Sequence, residues 1–177
     1  MQIYNILPKP PNKNVKNRRI CWCFRQKALP LQAVREDFII DEIFGDRLLV
    51  SVRADQRELS SNLRAARAIL HSFPDVYILI NPHNIELGHK NPEYTIDSRL
   101  GDRKGIMSEK GITAGFKSAK KQGCKIVVID LDEHIWQVRP FELSKYIARR
   151  KADFINGMME ACYVVYNGEA VGARHTA

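Results

Sequence analysis

The spacing of apolar positions changes several times along the chain, and each period assigns an element. Leu59, Leu63, Ala66 and Leu70 recur at i, i+4, i+7 and i+11, which predicts an amphipathic helix over residues 55–73. Asp55 and Glu58, three apart, have the form of a capping box at its start. After Pro74 the run 76–80 is continuously apolar and reads as a strand buried on both sides. Residues 81–90 form a polar loop with His83, Glu86 and His89. Tyr94-Thr95-Ile96, the turn pair Asp97-Ser98 and the return 100–104 then read as a β-hairpin. Ile112, Phe116 and Ala119 place a helix over 109–122, stopped by Gly123. A second apolar strand covers 125–131, a helix with Leu143 and Ile147 inward covers 140–152, and a strand over 161–166 turns at Asn167-Gly168 into a return over 170–173. Upstream, 19–24, 38–40 and 47–53 read as strands, the last two around Gly45-Asp46, while the Pro-, Asn- and Lys-rich residues 1–19 read as an extended arm.

Strand, helix, strand from 100 to 131 is a β-α-β crossover, so part of the sheet must be parallel. The expected fold is α/β, a mixed central sheet flanked by helices. Residues 1–54 form an N-terminal arm and β-rich extension, and 55–173 form the α/β core. The 177 residues suffice for one well-buried domain. No apolar run reaches membrane-spanning length and residues 1–11 lack a signal-peptide pattern, so the expected location is cytoplasmic.

A net charge of +8 and a pI near 9.4 point to an anionic partner, and nucleic acid fits best because phosphate contacts from Lys and Arg supply most non-specific affinity. Four cysteines have no spacing that completes a zinc site. Cys124 and Cys162 flank apolar strands and read as core thiols, and Cys21 and Cys23 as reduced structural ones. No phosphate-binding glycine loop, dinucleotide fingerprint or nucleophile elbow occurs.

The hairpin is where the chemistry gathers. With a two-residue loop, Ile96 faces Arg99 and Glu93 faces Asp102, and directly opposed carboxylates repel. Alternation puts Lys104 on the Asp102 side and Arg103 on the other. Two carboxylates and a lysine on one face suit metal-assisted phosphodiester cleavage. They equally suit an exposed hairpin on which Lys104 neutralises its neighbours.

Asn91-Pro92-Glu93, Ile96-Asp97-Ser98, Asp102-Arg103-Lys104, Lys120-Lys121-Gln122 and Ile126-Val127-Val128-Ile129, in this order, resemble the PD-(D/E)XK nuclease pattern over residues 55–166. More narrowly they resemble the C-terminal tRNA nuclease domains of contact-dependent growth inhibition toxins and related phage and mobile-element nucleases. The resemblance implies a toxin-like, metal-dependent endonuclease acting on RNA, tRNA above all, in preference to DNA. It implies that Glu93 and Asp102 hold Mg²⁺ or another divalent cation, helped by Glu58 from the preceding helix. Lys104 would act on the attacking water, and Gln122 would fix a water or a phosphate oxygen. Arg103, Lys90, Lys110, Lys117 and Lys121 would contact nucleic acid, and an immunity protein would be a second partner. Two positions depart from the pattern: Glu93 stands for the usual aspartate, and Arg103 for a usually apolar residue. Either the hairpin projects beyond the sheet or Arg103 meets substrate. Glu58 is either the closing residue of the capping box or a metal helper. Asp130, Asp132 and Glu133 read as turn and capping residues, with a rival metal site as the alternative. The competing functions are a catalytically inactive nucleic-acid-binding protein of the same fold, an interaction module, and a metal-free ribonuclease using His83 or His89.

Overall fold

Side-chain alternation along one central strand, Ile126–Asp130, divides the interior in two: Ile126 and Val128 enter one apolar cluster, Val127 and Ile129 another. The computed structural model describes residues 37–86, 88, 90–134 and 137–174. The arm, the strand expected over 19–24, Cys21, Cys23, His89 and the last three residues lie outside the described residues.

In chain order the described elements are β1 (Phe38–Asp41), β2 (Gly45–Ser51), α1 (Leu59–Ser72), β3 (Ile78–Ile80), β4 (Tyr94–Ile96), β5 (Arg99–Gly105), α2 (Glu109–Gln122), β6 (Ile126–Asp130), α3 (Pro140–Ala148), α4 (Lys151–Ile155), β7 (Ala161–Tyr166) and β8 (Glu169–Arg174). The eight strands form one mixed sheet in sequence order. β2–β3, β5–β6 and β6–β7 pair parallel, the other neighbours antiparallel. The chain is therefore mixed α/β, and its β-rich extension continues the same sheet, since β2 pairs directly with β3. α1 covers one face over Ile78, Ile80, Tyr94, Ile96, Val128 and Tyr163. The core on the other face joins Ile112, Phe116 and Ala119 of α2 to Leu143, Ile147 and Phe154 of α3 and α4. No described helix is long and apolar enough to cross a membrane. Cys124 and Cys162 are free, buried thiols, and burial pushes Cys124 up to about 12.

Several boundaries differ from the periodic pattern, three of them for a clear local reason. α1 starts at Leu59 because the Asp55 carboxylate takes the Arg57 N–H (2.9 Å) and closes a turn of its own. Glu58 occupies the N-cap position but makes no side-chain cap there. β2 begins at Gly45, whose φ of +58° carries the chain out of the 42–44 turn. The helix expected over 140–152 breaks in two, with the Arg150 N–H tightening onto the Ile147 carbonyl (2.9 Å) before α4 restarts. α2 matches its expected span, with the Ser108 hydroxyl accepting from Gly111 at one end and Gly123 left-handed at the other.

Candidate active site

Glu93 is presented by a loop closed at its base. The Asn81 N–H bonds the Glu93 carbonyl (2.9 Å), the Asn81 amide bonds the Pro92 carbonyl (2.9 Å), and Thr95 Oγ1 donates to Asn81 Oδ1 (2.9 Å). Asn91 exchanges two bonds with the Asn84 backbone, at 2.8 and 2.9 Å. The backbone just before β4 is therefore held. Asp97 (φ +45°) and Ser98 (φ +66°) make the left-handed two-residue turn of a tight hairpin. Ile96 faces Arg99 and Tyr94 faces Gly101, where the paired register ends one residue short of Glu93 and Asp102. Asp97 also accepts from the Tyr77 N–H (3.0 Å), which makes it a structural turn residue.

On the α2 side, Asp102 is fully buried and Lys104 Nζ stands 2.9 Å from its Oδ2. Gln122 Nε2 donates to the same oxygen at 3.2 Å. The other oxygens of both groups, Asp102 Oδ1 and Gln122 Oε1, are buried and meet no donor. Gly115 of α2 lies over the Lys104 stem, where an added Cβ would make ordinary contact at 3.5 Å from Lys104 Cβ and Cγ. Burial raises the pKa of Asp102, with the Lys104 ammonium opposing. Burial also raises Glu93, with the Asn62 hydrogen bond opposing it and the charges of Glu58 and Asp102 adding to it.

Raised carboxyl pKa values mean that the folded protein keeps protons the unfolded chain has released. The stability tied to these two groups is therefore full at acid pH and falls as pH rises from the ordinary carboxylate range through the raised values. Asp102→Asn is expected to flatten that part of the pH dependence, read from urea midpoints across pH.

On the α1 side, Arg103 is 4% exposed, turned into the core and not outward as a substrate contact would need. Each of its three nitrogens donates: Nε to Asn62 Oδ1 (2.6 Å), Nη1 to Asp130 (3.1 Å) and Glu133 (2.7 Å), Nη2 to Glu58 (2.9 Å). Burial alone would lower its pKa. Tyr94, Glu133 and Asp130 more than reverse that and keep it charged. The hairpin lies within the sheet, and the departure from an apolar residue is met by an acceptor set built around it. Glu58 is one of those acceptors, so the side chain expected either to close the cap or to help a metal pairs with Arg103. Asp130 also takes Arg64 Nη2 (2.7 Å), and Arg67 pairs with Asp41 (2.7 Å). Asp132 has the expected turn role, accepting from the Asn167 and Gly168 N–H groups at 2.7 and 2.8 Å.

Glu133 lies against Gly105, where a Cβ would fall 1.7 Å from Glu133 Oε2, the far end of a flexible, part-exposed side chain. Gly105→Ala is expected to force Glu133 off Arg103 and lower stability only modestly, by about 0.5–1.5 kcal/mol for one part-buried contact, measured by calorimetry.

Lys90, Lys110, Lys117 and Lys121 are exposed, as phosphate contacts require. His83 stands 3.8 Å from Asp55. Asn62 is the residue that sequence reasoning missed. It is 1% exposed, and its one signal was a polar residue set between Leu59 and Ala66 at helical spacing in an apolar stripe.

Among the described residues no three His, Cys, Asp or Glu side chains are grouped to hold a metal by themselves. A cation at the hairpin would thus draw on Asp102, Glu93, the Gln122 amide oxygen and water. The two donorless buried oxygens fit that use, since a hard cation takes oxygen ligands. Compared with protein-family models, curated proteins and solved structures, the chain gives no match.

Proposed function

We propose that this protein is a divalent-metal-dependent endonuclease, acting on RNA (tRNA by resemblance) in preference to DNA. The observation that carries the reading is the pair of buried acceptors that meet no protein donor, Asp102 Oδ1 and Gln122 Oε1, beside Lys104. A bound Mg²⁺ or similar cation would activate water and offset charge on the phosphate. Asp102 and Glu93 would hold it, and Gln122 keeps Asp102 in its rotamer. Lys104, its side chain 29% exposed, offers the ammonium that can orient the attacking water or bond a phosphate oxygen.

Charge supports an anionic substrate, though unevenly. Residues 1–36 carry eight Lys and Arg against one acid, while residues 37–174 carry twenty against nineteen. Within the described part, α2 presents Lys110, Lys117 and Lys121 outward. Replacing those three by Gln is expected to lower the salt slope of RNA binding by about 0.7–0.9 for each phosphate no longer neutralised, read by filter binding over a salt series.

The direct test incubates the protein with total RNA and plasmid DNA in Mg²⁺, Mn²⁺ or chelator. Cleavage that needs the cation supports the reading. Cleavage that survives chelator would favour a metal-free ribonuclease using a histidine such as His83 or His89. A second reading, a non-catalytic nucleic-acid-binding protein of this fold, is favoured by the Lys104–Asp102 pair, which already neutralises Asp102. Salt-sensitive binding with no cleavage in any cation would select it.

A further inference from the structure

We infer that Asn62, oriented by Arg103, is the positioning residue that holds the Glu93 carboxylate in place beside Asp102. The inference rests on the nuclease reading of this site and deepens it. Asn62 lies on the inner face of α1 among Ala65, Ala66 and Ile69, where an apolar residue would pack without penalty. A buried amide left unpaired costs about 1–3 kcal/mol, so its presence needs a polar task. That task is visible: Nδ2 donates to Glu93 Oε2 at 2.6 Å, and Oδ1 accepts from Arg103 Nε at 2.6 Å. The Tyr94 hydroxyl, also buried, donates to the Asn62 carbonyl at 2.8 Å and ties α1 to β4.

The two ends of an amide are hard to tell apart by shape, but here the chemistry permits one orientation. A guanidinium only donates and an ionised carboxylate only accepts, so the oxygen must face Arg103 and the nitrogen Glu93. The guanidinium cannot turn to release it, because Glu58, Asp130 and Glu133 take its other donors. A fixed cation thus fixes an amide, and the amide fixes a carboxylate. The chain of contacts crosses the sheet: Arg103 points to the α1 side, Asp102 and Lys104 to the α2 side. Glu93, one residue before the paired register of β4 begins, is reached from α1. Arg103, which would be out of place in an apolar core, acts here as the anchor of the site's second acid.

The test is a double-mutant cycle on Mn²⁺ affinity of the full chain, measured by electron paramagnetic resonance of free Mn²⁺. Asn62→Asp keeps an acceptor for Arg103 and removes the donor to Glu93. It should weaken Mn²⁺ binding by about 10- to 100-fold in the wild-type background. In a Glu93→Ala background it should weaken binding less than about twofold, because its effect passes through Glu93. Asn62→Leu, which removes the buried amide altogether, runs through the same cycle if the aspartate unfolds the protein. Equal weakening in both backgrounds, or none, overturns the inference and leaves Asn62 a packing residue. Wild-type protein that binds no Mn²⁺ overturns the cation site itself, and this inference with it.

Discussion

Lys104→Ala is expected to lower the cleavage rate by about 10²- to 10⁴-fold, the range for a positioned proton-transfer group, and to cost some stability as well, because it strips the buried Asp102 of its cation. The Lys104 head is partly solvated and its stem only rests on Gly115, so truncation leaves no deep cavity. Asp102→Asn should reduce cleavage at least as strongly, yet leave the unfolding midpoint unchanged or slightly higher. Burial raises the Asp102 pKa, so the charged form is unfavourable in the folded state at neutral pH, and a neutral isostere removes that term. Steady-state cleavage and urea unfolding on the same preparations decide it. A Lys104→Ala protein that cuts at more than about a tenth of the wild-type rate would move the chemistry away from this hairpin.

Arg103→Met is expected to destabilise the protein by about 3–5 kcal/mol, the usual result of removing one partner from a buried ion pair. Asp130 is fully buried, and Glu58, Glu133 and Asn62 are deprived of the same donor group together. Arg64 still reaches Asp130 and softens the effect. Arg103→Lys should recover part of it, since an ammonium keeps the charge but not the planar fork that meets four acceptors. Urea denaturation measures both variants. A destabilisation under about 1 kcal/mol for the methionine would mean that the carboxylates reach water and the cluster is not closed.

Much of this site was legible before any tertiary contact was known. The i, i+4 and i+7 stripes placed α1 and α2, and β5 and β6 followed as strands joined by a helix. A two-residue turn makes opposed positions sum to a constant, so Ile96 had to face Arg99, and alternation had to separate Arg103 from Lys104. Gln122, at the edge of its helix's apolar stripe, reaches the hairpin as that position allowed. All of these follow from local geometry, which a few neighbouring residues dictate.

Partners distant in the chain were not legible in this way. That Arg103 is an internal cation depends on Glu58, Asn62, Asp130 and Glu133, which lie 27 to 45 residues away and come together only when α1 and β6 pack against β5. From sequence, a guanidinium between an acid and a lysine looks like a contact for phosphate. In the fold, it is desolvated and surrounded by carboxylates. The sequence by itself determined which residues share a strand face, because side-chain direction follows from backbone period. The packing of distant elements decided which charges are buried, paired or left with unfilled oxygens, because those states depend on what removes the water.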